Sequence, residues 1–164
     1  METDPARVVV ACVGNGLVAD DAVGGAVFDC LAESHLPAHI RLEQLGTGGM
    51  ALLDCLDGEP TLVVVDAVQL GSQPGTVHVL EWDAVPLSPG AAVSSHGVGV
   101  REVIEVGRLL YPDRMPERVV LVGIEGRCFD HLGGPMTPAV ADAVPRAVRA
   151  VVNEIRIASK RLDR

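Results

Sequence analysis

Three short, almost uninterrupted apolar runs constrain the fold of this chain most: Val8–Val13, Leu62–Val65 and Val119–Ile124. Strands with this pattern are buried on both faces and occur in parallel sheets that helices cover on either side. Between the runs, apolar residues recur every three or four positions, which is the spacing of amphipathic helices. Only 2% of the residues are aromatic, so the core must consist of aliphatic side chains. The sequence therefore predicts an α/β fold.

The connection after the third strand is too short for a wholly parallel sheet. Ile40–Leu45 alternates apolar and polar residues and is predicted to be the second strand, and Thr76–Trp82 the fourth. Only the loop Gln69–Gly75 precedes the fourth strand, whereas a parallel crossover needs about a dozen residues. We therefore expect this strand to be antiparallel. The order βαβαββαβα predicts a three-layer α/β/α sandwich with a five-stranded, mostly parallel (mixed) twisted sheet, in one domain over residues 1–164.

Four segments have the apolar spacing of helices. They are Val23–Leu31, Met50–Leu56, Val100–Leu110 and Val140–Ile155. Ser94 or Ser95 is expected to cap the third helix. Thr137 and Pro138 are expected to open the last one, and Pro145 to kink it.

The formal net charge of -9 argues against two classes of partner. Nucleic-acid-binding domains carry a basic footprint, and anionic membrane surfaces attract basic segments. The N-terminal residues lack the basic and apolar regions of a signal peptide. No apolar run reaches the ~18 residues of a transmembrane helix. We therefore expect a cytoplasmic protein, a monomer, without nucleic-acid or membrane partners.

The four cysteines, Cys12, Cys30, Cys55 and Cys128, do not form a CxxC motif. A zinc ribbon and a thioredoxin motif are therefore excluded. Cys12 lies in an apolar strand pattern, and Cys30 and Cys55 lie in helical ones. We expect these three to be small buried hydrophobes in a reducing compartment.

Three polar features are predicted to meet at the carboxyl ends of the parallel strands, where ligands bind in such sheets. Asp20 and Asp21 follow the first strand, Asp66 ends the third, and His96 begins a helix. One acid suffices to cap a helix, and we assign that role to Asp20. The remaining two carboxylates and one imidazole suit nickel, zinc, iron or manganese. Three ligands leave coordination positions open, as in a working site.

Other candidates for chemistry are weaker. The turn Val13–Gly16 hints at a nucleotide loop, but it lacks the third glycine of the fingerprint and two acids stand where pyrophosphate would bind. Gly46–Gly49 is a possible anion nest, or simply a turn. Glu125, just past the last strand, is expected to point into the same cleft. His131 is expected to be structural.

Several short motifs follow one another along the chain from about Val8 to about Ile155. They are Val13–Asp21 with its glycine-asparagine pair and double acid, Leu45–Met50 with a glycine-threonine loop, Val65–Val68 followed by Gly71 and Pro74–Thr76, Ser94–Gly97, Gly123–Glu125, and Thr137-Pro138. In this order and spacing they resemble the nickel–iron hydrogenase maturation endopeptidases. The resemblance implies a phosphorylase/hydrolase-like fold. It also implies removal of a C-terminal extension from the hydrogenase large-subunit precursor after nickel insertion.

The resemblance further implies residue roles. The acid, acid, histidine triad of that family corresponds by motif to Asp21, Asp66 and His96, which would be both the catalytic and the metal-contacting residues. The nickel would arrive in the substrate, and zinc or cadmium would bind adventitiously. Two departures stand out. The second acid of the double-acid motif is often Glu in the family and is Asp21 here. An acid commonly precedes the glycine-threonine loop, where this chain has Gln44. If that acid is needed, Glu43 must replace it.

Rival functions remain open at the level of sequence. The same triad would serve a non-enzymatic nickel-recognition or chaperone protein. A related aspartate-type hydrolase with another substrate would also fit. A structural or nucleotide-binding domain fits less well, because the acid pair is awkward for it.

Overall fold

The computed structural model describes residues 7–47, 49–86 and 99–162. Five strands form one sheet in the order β2-β1-β3-β5-β4. They are β1 (Val8–Val13), β2 (Ile40–Leu45), β3 (Thr61–Val68), β4 (Val77–Glu81) and β5 (Arg118–Glu125). β1 is parallel to β2 and β3, β3 is parallel to β5, and β4 is antiparallel to β5. The predicted fold class and the reversed fourth strand are thus confirmed.

In the described part of the chain, five α-helices cover the two faces of the sheet. They are α1 (Val23–Glu33), α2 (Met50–Cys55), α3 (Val100–Leu110), α4 (Pro138–Ala141) and α5 (Val144–Leu162). α3 begins at Val100, and its N-cap is Gly99. This start is later in the chain than the predicted cap at Ser94 or Ser95 would give. Both serines lie outside the described residues. The predicted kinked last helix is wrong. Instead, α4 ends at Ala141 and a separate helix, α5, begins at Val144. Pro145 therefore lies in the first turn of α5, where proline is tolerated, and not in a helix interior.

The sheet separates the core into two halves, as the three-layer prediction requires. Alternate β1 residues, beginning with Val8, pack against α1 and α5. The others, beginning with Val9, pack against α2 and α3. The strand pattern therefore decides which residues share a face. Within the described ranges, no helix is long and apolar enough to cross a membrane.

All four cysteines lie in the described part of the chain and carry free thiols. Cys12 is buried, and its burial raises the pKa of the thiol to about 12, so it packs as an inert hydrophobe. Cys55 is partly buried. The prediction was wrong for Cys30, which is exposed, because it lies at the edge of the apolar face of α1.

Candidate functional site

Asp66 was expected to end the third strand, but it lies inside it, two residues before the end of β3. β3 continues to Val68, because the main chain of Asp66 to Val68 still pairs with β5. The carboxylate is 3% exposed. Its neighbours Val64 and Val68 belong to the core half beneath α2 and α3, so the Asp66 side chain points to that face.

Asp21 lies in a single 3-10 turn, Ala19–Ala22, between β1 and α1, and is 1% exposed. The main-chain N–H of Asn15 donates a 2.8 Å hydrogen bond to its Oδ2. Gly14 has a φ of 146°, and a Cβ added there would lie 2.2 Å from the carbonyl oxygen of Asp21. The glycine-asparagine turn therefore holds this acid at the carboxyl end of β1.

Asp20 has a structural role, but not the helix cap that was predicted. The N-cap of α1 is Ala22. The completely buried Asp20 carboxylate accepts four hydrogen bonds from three residues of the loop after β5: main-chain N–H groups of Arg127, Cys128 and Thr137 at 2.7–2.9 Å, and the Thr137 hydroxyl at 2.9 Å. Burial disfavours the charged form, but these four bonds outweigh it and lower the pKa of Asp20.

The fold brings the two predicted acids to the same edge of the sheet. β1 and β3 are neighbours and parallel, with Cys12 opposite Val65, so their carboxyl ends coincide. His96 lies outside the described residues. Among the residues that are described, no group of three His, Cys, Asp or Glu side chains is arranged to hold a metal ion. The complete triad therefore stays a prediction.

A polar cavity of about 470 Å³ adjoins the turn that holds Asp21. It is lined by Gly14, Asn15, Gly16, Gln44, Gly46 and Thr47. Gln44 reaches this cavity from the end of β2, whereas Glu43 lies on the opposite face of the strand and pairs with Arg41 at 3.3 Å. Adjacent strand residues point to opposite faces. Glu43 therefore does not replace the acid that the family commonly has at the position of Gln44.

A second cavity, of about 740 Å³, lies beyond the end of β5, next to the loop that Asp20 holds. Its lining is Gln73, Pro74, Arg127, Cys128, Asp130, Thr137, Pro138 and Ala139. The sequence pattern did not indicate this cavity, because its walls combine residues 73–74 with residues 127–139, which are distant along the chain.

Glu125 does not point into the cleft as expected. Its buried carboxylate accepts hydrogen bonds from the N–H groups of Leu70 and Gly71 at 2.9–3.0 Å and contacts Nε2 of His78 at 3.2 Å. It therefore holds the loop between β3 and β4.

The nucleotide-loop alternative is also disfavoured, because the N–H of Asn15 that would face a phosphate binds Asp21. His131 is exposed.

Comparison with known proteins gives a consistent result. A family model described as hydrogenase maturation protease matches residues 27–154. The hydrogenase expression/formation protein HupD of Rhodobacter capsulatus is 38% identical over 93% of this chain and 72% of its own length. The hydrogenase 2 maturation protease of Escherichia coli strain K12 is 29% identical over 92% of this chain and 91% of its own.

The fold itself also has a counterpart among solved structures. The hydrogenase maturating endopeptidase HybD from E. coli superimposes with a TM-score of 0.80 and covers 93% of each chain, at 27% sequence identity. The similarity thus extends over almost the entire chain.

Proposed function

The chain belongs to the hydrogenase maturation protease family, and we propose that it removes the C-terminal extension of a nickel–iron hydrogenase large subunit after nickel has been inserted. Like the proteases it resembles, it is an endopeptidase, an enzyme that hydrolyses peptide bonds. Its partner in this proposal is the large-subunit precursor.

In this proposal the nickel is part of the substrate, and Asp21, Asp66 and His96 contact it. The observation that carries the proposal is the pair of buried carboxylates at the carboxyl ends of neighbouring parallel strands. Carboxylate and imidazole groups are suitable nickel ligands. The assignment of His96 as the third contact rests on the resemblance of Ser94–Gly97 to the family motif.

Burial of the two acids gives them a specific use. Charges attract more strongly in a low-dielectric surrounding than in water, so a nickel-bearing substrate gains binding energy there. The hydrogen bond from Asn15 orients Asp21 for that contact, as partners of ligating groups commonly do. A large subunit without nickel lacks the contact and binds weakly. The nickel therefore selects the finished substrate and places its scissile peptide bond at the cleft.

Incubation of the purified protein with nickel-loaded and nickel-free large-subunit precursor tests the proposal. We expect cleavage of the loaded precursor only. Asp66→Asn should reduce the cleavage rate by roughly 100-fold or more. Mutation of a residue that only hydrogen-bonds a metal-contacting group already lowers metal affinity or activity about 10- to 100-fold. Asp54→Asn, the same change at an exposed position of α2, is the matched control and should cleave normally. Equal cleavage of both precursors would refute the role of nickel.

One observation favours a second candidate function. Gln44, and not an acid, reaches the cavity beside Asp21. A protein that recognises nickel-loaded large subunits without cleaving them would tolerate this amide. The similarity to named proteases favours the enzyme. The same assay separates the two, because a recognition protein would bind the loaded precursor and leave its length unchanged.

A further inference from the structure

Among the described residues, those that line the 470 Å³ cavity beside Asp21 carry no charged side chain. Two carboxamides and a hydroxyl, from Asn15, Gln44 and Thr47, provide its polar side-chain groups, and its other lining residues are glycines. It is nevertheless coupled to the buried acid, because the main-chain N–H of Asn15 binds the carboxylate of Asp21. A neutral, polar cavity next to a charged site is suited to peptide groups.

A peptide chain in this cleft needs hydrogen-bond donors as well as acceptors. Each peptide group presents a carbonyl oxygen for every N–H, and an ionised carboxylate such as Asp21 accepts hydrogen bonds but cannot donate them. Substrate carbonyls must therefore find donors elsewhere. The Oδ1 of Asn15 accepts a hydrogen bond from the N–H of Leu17, and the amide group of the same side chain is a donor.

Two glycines leave the cavity wall open to another main chain. A Cβ added to Gly16 or to Gly46 would meet no atom of the described residues within 4 Å, so packing against them does not require glycine at either position. Glycine does allow close approach of a ligand to the backbone. Both residues are exposed at the cavity, as a surface for an extended substrate segment requires.

Gln44 lies on this wall beside α1. It is opposite Cys12 of β1 and on the face of β2 that points toward α1. A Cβ on Gly25 would lie 3.2 Å from its Nε2, so the glycine in α1 makes room for the amide. Since Glu43 points to the other face, the fold presents the neutral residue to the cavity.

We propose that this cavity binds an uncharged stretch of substrate main chain beside the scissile bond, and that Gln44 donates a hydrogen bond to one of its carbonyl oxygens. This inference rests on the proposed function. Gln44 then acts on substrate affinity and takes no part in proton transfer, because a carboxamide does not titrate.

The test is cleavage of the nickel-loaded precursor by three variants, followed as kcat and KM from about pH 4.5 to 7.5, with each value compared with that of the unaltered protein at the same pH. Gln44→Leu removes the donor and should raise KM roughly 3- to 10-fold at every pH, the value of one hydrogen bond, with kcat nearly unchanged. Gln44→Glu should raise KM similarly at pH 7.5. That rise should shrink as the pH falls toward the usual glutamate pKa of ~4.3, because the neutral acid regains a donor.

Glu43→Gln is the matched control, since it makes the reverse exchange at the neighbouring position on the opposite face, and it should keep the original KM. A purely structural role of Gln44 would not produce the pH-dependent recovery. An unchanged KM in Gln44→Leu would overturn the inference and leave the proposed function intact. A higher kcat in Gln44→Glu would also overturn it, because a carboxyl group at this position would then contribute to the hydrolysis itself. If the unaltered protein cleaves no loaded precursor, the proposed function fails and the inference with it.

Discussion

The main-chain N–H of Asn15 lies 2.8 Å from Oδ2 of Asp21 and donates a hydrogen bond to it. The bond spans six residues and closes the turn between β1 and the 3-10 turn that carries the acid. It therefore joins two parts of the sequence motif, the glycine-asparagine pair and the double acid, into one structural unit. The position of Asp21 depends on the conformation of this turn.

Gly14→Ala should disrupt that unit. The new Cβ would lie 2.2 Å from the carbonyl oxygen of Asp21, and the φ of 146° is strained for any other residue. We expect a loss of about 2–4 kcal/mol in the free energy of unfolding, as for other overpacked and strained sites, together with slower precursor cleavage. Urea denaturation measures the first effect. Gly16→Ala, where a Cβ meets nothing within 4 Å, is the stability control. Equal stability of the two variants would contradict the steric argument.

His96→Ala should abolish precursor cleavage and leave the fold intact. The expectation follows from the triad proposal and from the aliphatic core, which involves other residues. Thermal unfolding and cleavage of the loaded precursor are to be measured on the same preparation. His131→Ala, at an exposed histidine, is the control and should cleave normally. Normal cleavage by His96→Ala would remove the residue from the site, and unfolding at ordinary temperature would make it structural.

Asp20→Ala should destabilise the protein. It leaves three main-chain N–H groups and the Thr137 hydroxyl without their buried acceptor. Each buried polar group that loses its partner costs about 1–3 kcal/mol of stability, and less where water can enter. We therefore expect the free energy of unfolding to fall by roughly 3 kcal/mol or more at pH 7. Urea denaturation measures the loss, and Asp130→Ala, at an exposed acid, is the control.

The contribution of Asp20 should also depend on pH. Its pKa is lowered in the folded state, so the unfolded chain binds the proton more readily. The stabilisation is then complete above the unfolded pKa of ~3.9 and is lost as the pH falls through the lower folded value. The difference in unfolding free energy between the original protein and Asp20→Ala should therefore narrow below about pH 4. A difference that is constant from pH 7 to pH 3 would show that the charge of Asp20 is not involved.

The purified protein should be folded and largely free of metal. Three ligands at an open cleft bind divalent ions more loosely than a closed four-ligand site does. Added nickel, zinc or cadmium should bind, and less well at low pH, because ligands must be deprotonated. Elemental analysis and thermal unfolding with and without chelator are the measurements. Stoichiometric bound metal, or loss of the fold on chelation, would show a resident ion and contradict the proposal that nickel comes with the substrate.

The sequence by itself determined the order of the five strands and of the first three helices, the reversal of β4 and the aliphatic nature of the core. These features are local: a period of two or of three to four residues, and a connecting loop too short for a crossover, are visible in any short stretch of chain. The neighbouring positions of Asp21 and Asp66 followed as well, because parallel strands place their carboxyl ends at one edge.

Only the tertiary structure decided how individual polar groups are used. Asp20 and Asp21 are adjacent in sequence, yet Asp20 binds a loop more than a hundred residues away, while Asp21 stays with its own turn. The sequence placed Glu125 just past a strand, whereas it is the last residue of β5, and its carboxylate binds the N–H groups of Leu70 and Gly71. Hydrogen bonds of this kind join segments that are distant along the chain, and no local pattern encodes them. They form because a buried charge must find partners wherever the fold supplies them.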